Sequence, residues 1–389
     1  MRFDLPLEDE HRMLLDLVER FIADELMPLE PAVLAREACG QEAKLSRDET
    51  ALIDARVREL GLWGLDAPED MGGSDLPQVA LVGVNIALGR TVVPYVFPPD
   101  TPNLRMLAVT ASPAQRERYL APYIRGETVS AIAISEPGAG SDPSAMTTRA
   151  TRLPDGGWRI DGRKIWISRA DIADFAILMA VTDKDAGRKQ GISAFIVDRD
   201  TPGIEIVGRI PMIGGTTTYE VAYDAVRLPA GALLGIEGAG FAPMQARLAA
   251  RRLEVAAWSI GAAERALDML IAHARERRVF GQTLGERQAI QWWIADAVTR
   301  IHAAKLMAYD IARRIDAGED VTVLISAAKV VGPELATEVI DRAMQVYGAM
   351  GMAKEMPLHL LAMQVRLMRI YDGPSEVHRW VIARAALSA

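Results

Sequence analysis

The 389-residue chain contains one cysteine, Cys39, and five histidines: His11, His273, His302, His359 and His378. A lone thiol excludes an internal disulfide framework and any cysteine-based metal site. No two histidines stand four apart around a glutamate, so a zinc enzyme is not expected. Long apolar runs are also missing: every stretch of about 18 residues carries charge, so no membrane insertion is expected. Nor is there a basic excess. With a formal net charge of −8, nothing electrostatic favours nucleic acid or an anionic membrane as the main partner. A small anionic ligand remains compatible, because local arginines decide that. Met1-Arg2-Phe3-Asp4, with Glu8, Asp9 and Glu10 soon after, is too acidic for a secretory or mitochondrial leader, and Leu387-Ser388-Ala389 is no peroxisomal address. The expected location is the cytoplasm.

What is present is an ordinary globular mixture, half hydrophobic and a quarter charged, long enough for two or three domains. Residues 1–126 read as helical: Leu14, Leu15, Leu17, Val18, Phe21, Ile22 and Leu26 recur at helical spacing, and 54–60 and 79–88 repeat the pattern. Pro94, Pro98, Pro99 and Pro102 are read as helix breakers. Between 127 and 236 the texture changes to short β-branched and aromatic runs bounded by turn residues. The runs are 129–135, 158–160, 164–168, 175–181, 192–197, 204–207 and 219–228. Pro154-Asp155-Gly156-Gly157 reads as a hairpin connection. Some seven strands predict a small barrel or sandwich. From 237 to 389 helical patterns return at 241–277, 285–317, 322–348, 356–370 and 374–388, which predicts an antiparallel bundle. The expected class is α+β, ordered helices, strands, helices.

Four segments can carry chemistry. Ser135-Glu136-Pro137-Gly138-Ala139-Gly140-Ser141-Asp142 follows a strand. It is either a tight surface turn or a place where backbone N–H groups approach a ligand. Lys164-Ile165-Trp166-Ile167-Ser168 puts Trp166 and Ser168 on one strand face, as core filling or as a flank for a flat heterocycle. Arg277 and Arg278 close a long helix, as solvated dipole partners or as a pyrophosphate fork. In Tyr371-Asp372-Gly373-Pro374-Ser375-Glu376, Asp372 taken alone reads best as the N-cap of the last helix. As chemistry it is a carboxylate on a Gly-Pro turn, able to act as a general base. Trp292, Trp293 and the 17 methionines read as core filling.

Taken in order and spacing, these segments resemble the acyl-CoA dehydrogenase family over essentially the whole chain. The concordant motifs are 135–142, 166–168, Pro229-x-x-x-Leu233-Leu234-Gly235, Glu276-Arg277-x-x-Phe280-Gly281, Gln288, Gln345-x-x-Gly348 and 371–376. The resemblance implies a flavoprotein with FAD. It places Ile134, Ser135, Gly140, Ser141, Trp166, Ile167 and Ser168 against the flavin. Arg277, Phe280, Gln288, Gln345 and Gly348 would reach FAD from a neighbouring subunit, which implies a homodimer or homotetramer, with a mixed complex with a related subunit left open. Ser375 and Glu376 would lie near the adenosine half. Ser141, Arg252, Tyr371 and Gly373 would contact the acyl-CoA. Val279 and Ala349 stand where many members carry threonine and glycine.

The implied reaction removes a Cα proton, transfers a β-hydride to the flavin and yields a 2-enoyl-CoA. Electrons would pass to an electron-transfer flavoprotein or similar acceptor. The usual base of the family is a glutamate in a Tyr-Glu-Gly turn. Here it is Asp372, as in a branch of the family, and shorter by one C–C bond, about 1.5 Å. Misplacement on that scale costs about 10²-fold in rate. A branched, cyclic or otherwise substituted thioester is therefore expected. Some members carry the base on the helix near Arg251 and Arg252. Arg251 holds that place here, and Glu254 is two residues too far along. Two alternatives share the fold: a nitroalkane-oxidising flavin enzyme, which also uses an aspartate base, and a non-catalytic flavoprotein that binds DNA.

Overall fold

A computed structural model describes residues 7–187 and 190–388. The opening segment Met1-Arg2-Phe3-Asp4 and the final Ala389 lie outside the described residues. The first helices are α1 (Asp9–Phe21), α2 (Glu30–Ala38), α3 (Arg47–Glu59), α4 (Gln78–Leu88) and α5 (Thr101–Thr110). Local chemistry sets their ends. Ser46 caps α3 in a reciprocal box: Glu49 N–H donates to Ser46 Oγ (3.2 Å), and Ser46 N–H donates to the Glu49 carboxylate (2.7 Å). The proline-rich stretch is non-helical from Thr91 to Asp100, but Pro102 sits in the first turn of α5, where its missing N–H costs nothing.

Eight strands form one mixed sheet: β1 (Ser130–Ala133), β2 (Arg149–Arg152), β3 (Trp158–Ile167), β4 (Phe175–Val181), β5 (Ile192–Asp198), β6 (Ile204–Pro211), β7 (Thr217–Leu228) and β8 (Leu233–Leu234). Their order is β6-β7-β3-β2-β4-β5-β8, with β1 parallel to β4. The 154–157 hairpin joins β2 to β3, with Leu153 N–H donating to Gly157 O (2.8 Å). The sequence reading missed β2 and β8. β2 is Arg-Ala-Thr-Arg with only Ala150 buried, and β8 has two residues, so neither carries an apolar alternation.

After the sheet come the helices α6 (Phe241–Glu276), α7 (Gln288–Asp316), α8 (Thr322–Tyr347), α9 (Pro357–Met368) and α10 (Ser375–Ser388). Between α6 and α7 lies a two-stranded hairpin, β9 (Arg278–Val279) and β10 (Gln282–Thr283). The end helices share one core: Val18, Phe21, Val33 and Ile86 pack into the same cluster as Ala256, Ile260, Ile340 and Leu360. α4 can lie on α6 because Gly261 offers no side chain; a Cβ there would come within 1.9 Å of Ile86 O. A second cluster joins α5 to the sheet and to the start of α6 through Leu104, Ile177, Met244 and Leu248. The start of α6 is thus held where the helical core meets the sheet. Among the described residues no helix is long and apolar enough to cross a membrane, and no cluster of metal-ligating side chains occurs.

Candidate active site

The turn before α10 is the centre of the site. α10 begins at Ser375, so Asp372 does not cap it, contrary to the residue-by-residue reading. Asp372 instead takes a left-handed backbone conformation (φ 55°), which is costly for a residue with a Cβ. Basic side chains hold the turn in place, Lys329 and His378 from buried positions. Arg252 Nε donates to Asp372 O (2.8 Å), with His378 Nε2 3.4 Å from the same oxygen. Lys329 Nζ donates to Met368 O (2.5 Å) and to Gly373 O (3.3 Å). Burial, reinforced by the Arg252 and Lys329 charges, pushes the His378 imidazole down to about 4, so it is neutral at pH 7. The tautomer with hydrogen on Nε2 puts a donor on the carbonyl and leaves Nδ1, which has no partner, without one. Burial likewise brings Lys329 down to about 8 against the opposing pull of Asp372.

The Asp372 carboxylate projects from this pinned turn to Arg247, whose Nη1 lies 3.2 Å from Oδ1. Arg247 Nε donates to Asn103 Oδ1 (3.1 Å), and Asn103 in turn donates to Ser130 Oγ (2.9 Å). One turn further along α6, Arg251 pairs with Asp100 and lies 2.7 Å from Glu254 Oε2. That Glu254 oxygen has no aligned hydrogen bond. Burial raises the Glu254 carboxyl to about 7 despite Arg251, whereas Arg251, Arg169 and Arg247 overcome burial at Asp100 and hold it at about 2. Asp100, Arg251 and Glu254 line a cavity between α4, the 96–101 loop and α6, together with Asn85, Phe97 and Trp258.

The sheet carries a second group of the sequence-derived positions. Where β1 ends, Ser135 O accepts from Ile165 N–H (2.9 Å), so Ile134 and Ser135 run beside the end of β3. A register shift between Lys164 and Ile167 sets Trp166 at φ 63°, half exposed, while Ile167 points into the core and Ser168 is exposed. Trp166 and Ser168 are both exposed, but the register shift breaks the simple alternation, which would have put Lys164 on their face. Beneath them Lys164, fully buried, donates to Glu136 Oε1 and to Ile134 O, both at 2.9 Å. Glu136 also accepts from the N–H groups of Thr147 (2.7 Å) and Thr148 (2.8 Å). Burial opposes its charge, but Lys164 and these donors hold its carboxyl at about 2. The ion pair closes the 136–148 segment, leaving Gly140 and Ser141 on its exposed rim.

Other sequence-derived positions lie elsewhere. Arg277 follows the end of α6, about 37 Å along the helix from Arg252 at 1.5 Å per residue. Gln345 lies about 24 Å along α8 from Lys329 by the same measure. Arg277, Gln288, Gln345 and Gly348 are all exposed, and Phe280, at the tip of the β9–β10 hairpin with φ 53°, is 94% exposed. Within one chain these residues do not meet the Asp372 turn. Tyr371 is part-exposed, and Glu376 is exposed beside Ser375, which is buried with no aligned partner for Oγ. Sequence reasoning assigned no role to Arg247, Asp100, Asn103, Lys164, Glu136 or Lys329. Only their tertiary neighbours mark them, although a charge inside an apolar run, as at Lys329, was a visible signal.

Three family models match: the acyl-CoA dehydrogenase N-terminal domain over residues 8–127, the middle domain over 131–226 and the C-terminal domain over 238–387. This chain belongs to the acyl-CoA dehydrogenase family. It is 40% identical to the (R)-benzylsuccinyl-CoA dehydrogenase of Thauera aromatica, over 99% of this chain and 97% of that protein. It is 34% identical to the caffeyl-CoA reductase-Etf complex subunit CarC of Acetobacterium woodii, over 84% of this chain and 87% of that one. Among solved structures, an FAD complex of PigA superposes with a TM-score of 0.87 at 25% identity, covering 99% of each chain.

Proposed function

We propose that this chain is an FAD-dependent acyl-CoA dehydrogenase in which Asp372 removes the Cα proton of the thioester and a 2-enoyl-CoA is formed. One observation carries the reading: a carboxylate on a left-handed turn whose main chain is held by Arg252 and Lys329. Family membership and the FAD-bound relative support the cofactor. The residues fit a flat ring: an indole and a hydroxyl are both exposed, and the 136–148 segment leaves its backbone accessible beside them. Ile134, Ser135, Gly140, Ser141, Trp166, Ile167 and Ser168 would hold the flavin. When bound, FAD supplies the acceptor for the β-hydride.

The protein's share of the work is placement. Asp372 must face Cα, and the pinned turn fixes its main chain before substrate arrives, so little reorganisation remains for the reacting complex. Arg252 has a positioning role through Asp372 O, beyond the acyl-CoA contact implied by resemblance. Ser141, Tyr371 and Gly373 complete the substrate side. Exposed Phe280 and the exposed Arg277, Gln288, Gln345 and Gly348 support a homo-oligomer in which a neighbour completes the cofactor site. Ser375 and Glu376 are assigned to the adenosine end. Division at 1–126, 127–236 and 237–389 belongs to the same proposal. The Etf-complex relative supports an electron-transfer flavoprotein as acceptor.

The test is anaerobic titration of the yellow holoprotein. Acyl-CoA thioesters should bleach the flavin and nitroalkanes should not. A colourless protein that refuses added FAD, or bleaching by nitroalkanes alone, overturns the proposal.

A further inference from the structure

Arg247 is a buried guanidinium, 7% exposed, on the first turns of α6. Of its five N–H donors, one meets Asn103 Oδ1 and one meets Asp372 Oδ1. Among the described residues none accepts from Nη2. A guanidinium on one oxygen of a carboxylate occupies lone pairs that a base needs free. The surrounding charge is also unbalanced. Arg247, Arg251, Arg252 and Lys329 converge on this region, against Asp372, Asp100 and the poorly aligned Glu254. Arg247 and Lys329 are buried and Arg251 and Arg252 partly so, and cations withdrawn from water in excess are costly unless an anion joins them. The cavity beside Arg251 mixes apolar walls, among them Val84, Leu88 and Phe97, with polar atoms of Asn85, Asp100, Arg251 and Glu254.

Resting on the acyl-CoA dehydrogenase reading above, we propose that Arg247 is the seat for a second carboxylate on the acyl group. The substrate is then a monothioester of a short dicarboxylic acid. Because Arg247 touches the base itself, the free carboxylate belongs on Cβ or the carbon after it. Seating moves the guanidinium from Asp372 to the substrate, where its planar fork can bind both carboxylate oxygens. Asp372 is left unshared beside Cα. Asn103 holds Nε throughout, so the fork turns about a fixed point. A non-carboxylated thioester leaves Arg247 on the base, and it is disfavoured for that reason as well as for the lost contact.

The experiment uses the FAD-loaded protein without oxygen. Glutaryl-CoA, 2-methylsuccinyl-CoA and benzylsuccinyl-CoA are each compared with their own methyl ester, beside butyryl-CoA as a straight chain. At least one acid should exceed its ester by about tenfold or more in kcat/KM for flavin reduction. Arg247→Gln should bring acid and ester within about threefold by raising KM for the acid, and Arg247→Lys should keep part of the preference. If every ester equals or outruns its acid in the unmodified protein, the seat is refuted whatever the variants do. An Arg247→Gln protein that loses acid and ester rates alike makes Arg247 a positioning residue only, which also refutes it. Bleaching by butyryl-CoA with all three acids inert removes the carboxylate seat and leaves the dehydrogenase. No bleaching by any thioester removes both.

Discussion

Lys164 and Glu136 form an ion pair (2.9 Å) with both side chains out of reach of water, directly under the loop and strand that carry Ser135 and Trp166. Glu136 gathers four hydrogen bonds, whereas Lys164 has one carboxylate, one carbonyl and the weak Met146 sulfur at 3.9 Å. Burial accordingly lowers the ammonium to about 8 even though the carboxyl stays near 2. Removing one partner strands the other. Lys164→Met should cost about 3–5 kcal/mol in urea unfolding and lower FAD retention. Lys164→Met combined with Glu136→Leu should recover part of that stability. A single variant with unchanged stability would show that the pair does not hold the loop.

Asp372 lies at the junction of the helical core and the sheet. Asp372→Asn keeps the shape of the turn and removes the base. FAD should stay bound while thioester-dependent bleaching falls by at least about 10²-fold. Asp372→Glu extends the reach by about 1.5 Å and should raise activity on straight chains relative to substituted ones. Normal turnover by the asparagine variant would dismiss Asp372 from the chemistry.

Lys329 predicts an alkaline limit. Its ammonium bridges the main chain on both sides of Asp372 and loses its proton near pH 8. Below that pH the bridge is charge-assisted; above it the bonds weaken and the turn loosens. kcat should fall as pH rises through about 8, and Lys329→Met should show a low kcat with that limb absent. A flat wild-type profile from pH 7 to 10 contradicts the role.

Glu254 predicts a stability change of opposite sign to that of a paired carboxylate. Its folded value, about 7, lies above the ordinary 4.5, so the native state binds more protons between those limits. Stability from this group is present at low pH and is lost as pH rises from about 4.5 to 7. Glu254→Gln should therefore raise stability by about 1–3 kcal/mol at pH 8 relative to wild type and change little at pH 5. Equal differences at the two pH values would show that Glu254 is ionised in the folded protein at both.

Periodicity was enough to place the long elements. The pattern at 241–277 becomes α6 and that at 322–348 becomes α8, each within one residue, because an apolar stripe repeated for several turns has one way to be buried. The Pro154–Gly157 hairpin was legible for an equally local reason, its turn residues. Asp372 was legible only as a cap or a base, since a turn residue's neighbours in sequence say nothing about which arginine its carboxylate meets. The fold made that choice by starting α10 at Ser375 and by bringing Arg247, Arg252 and Lys329 from two other helices to the turn. Periodicity reports what a residue buries. Electrostatic partners 40 to 125 positions apart along the chain are decided by packing, and only the assembled core showed which charges had to share it.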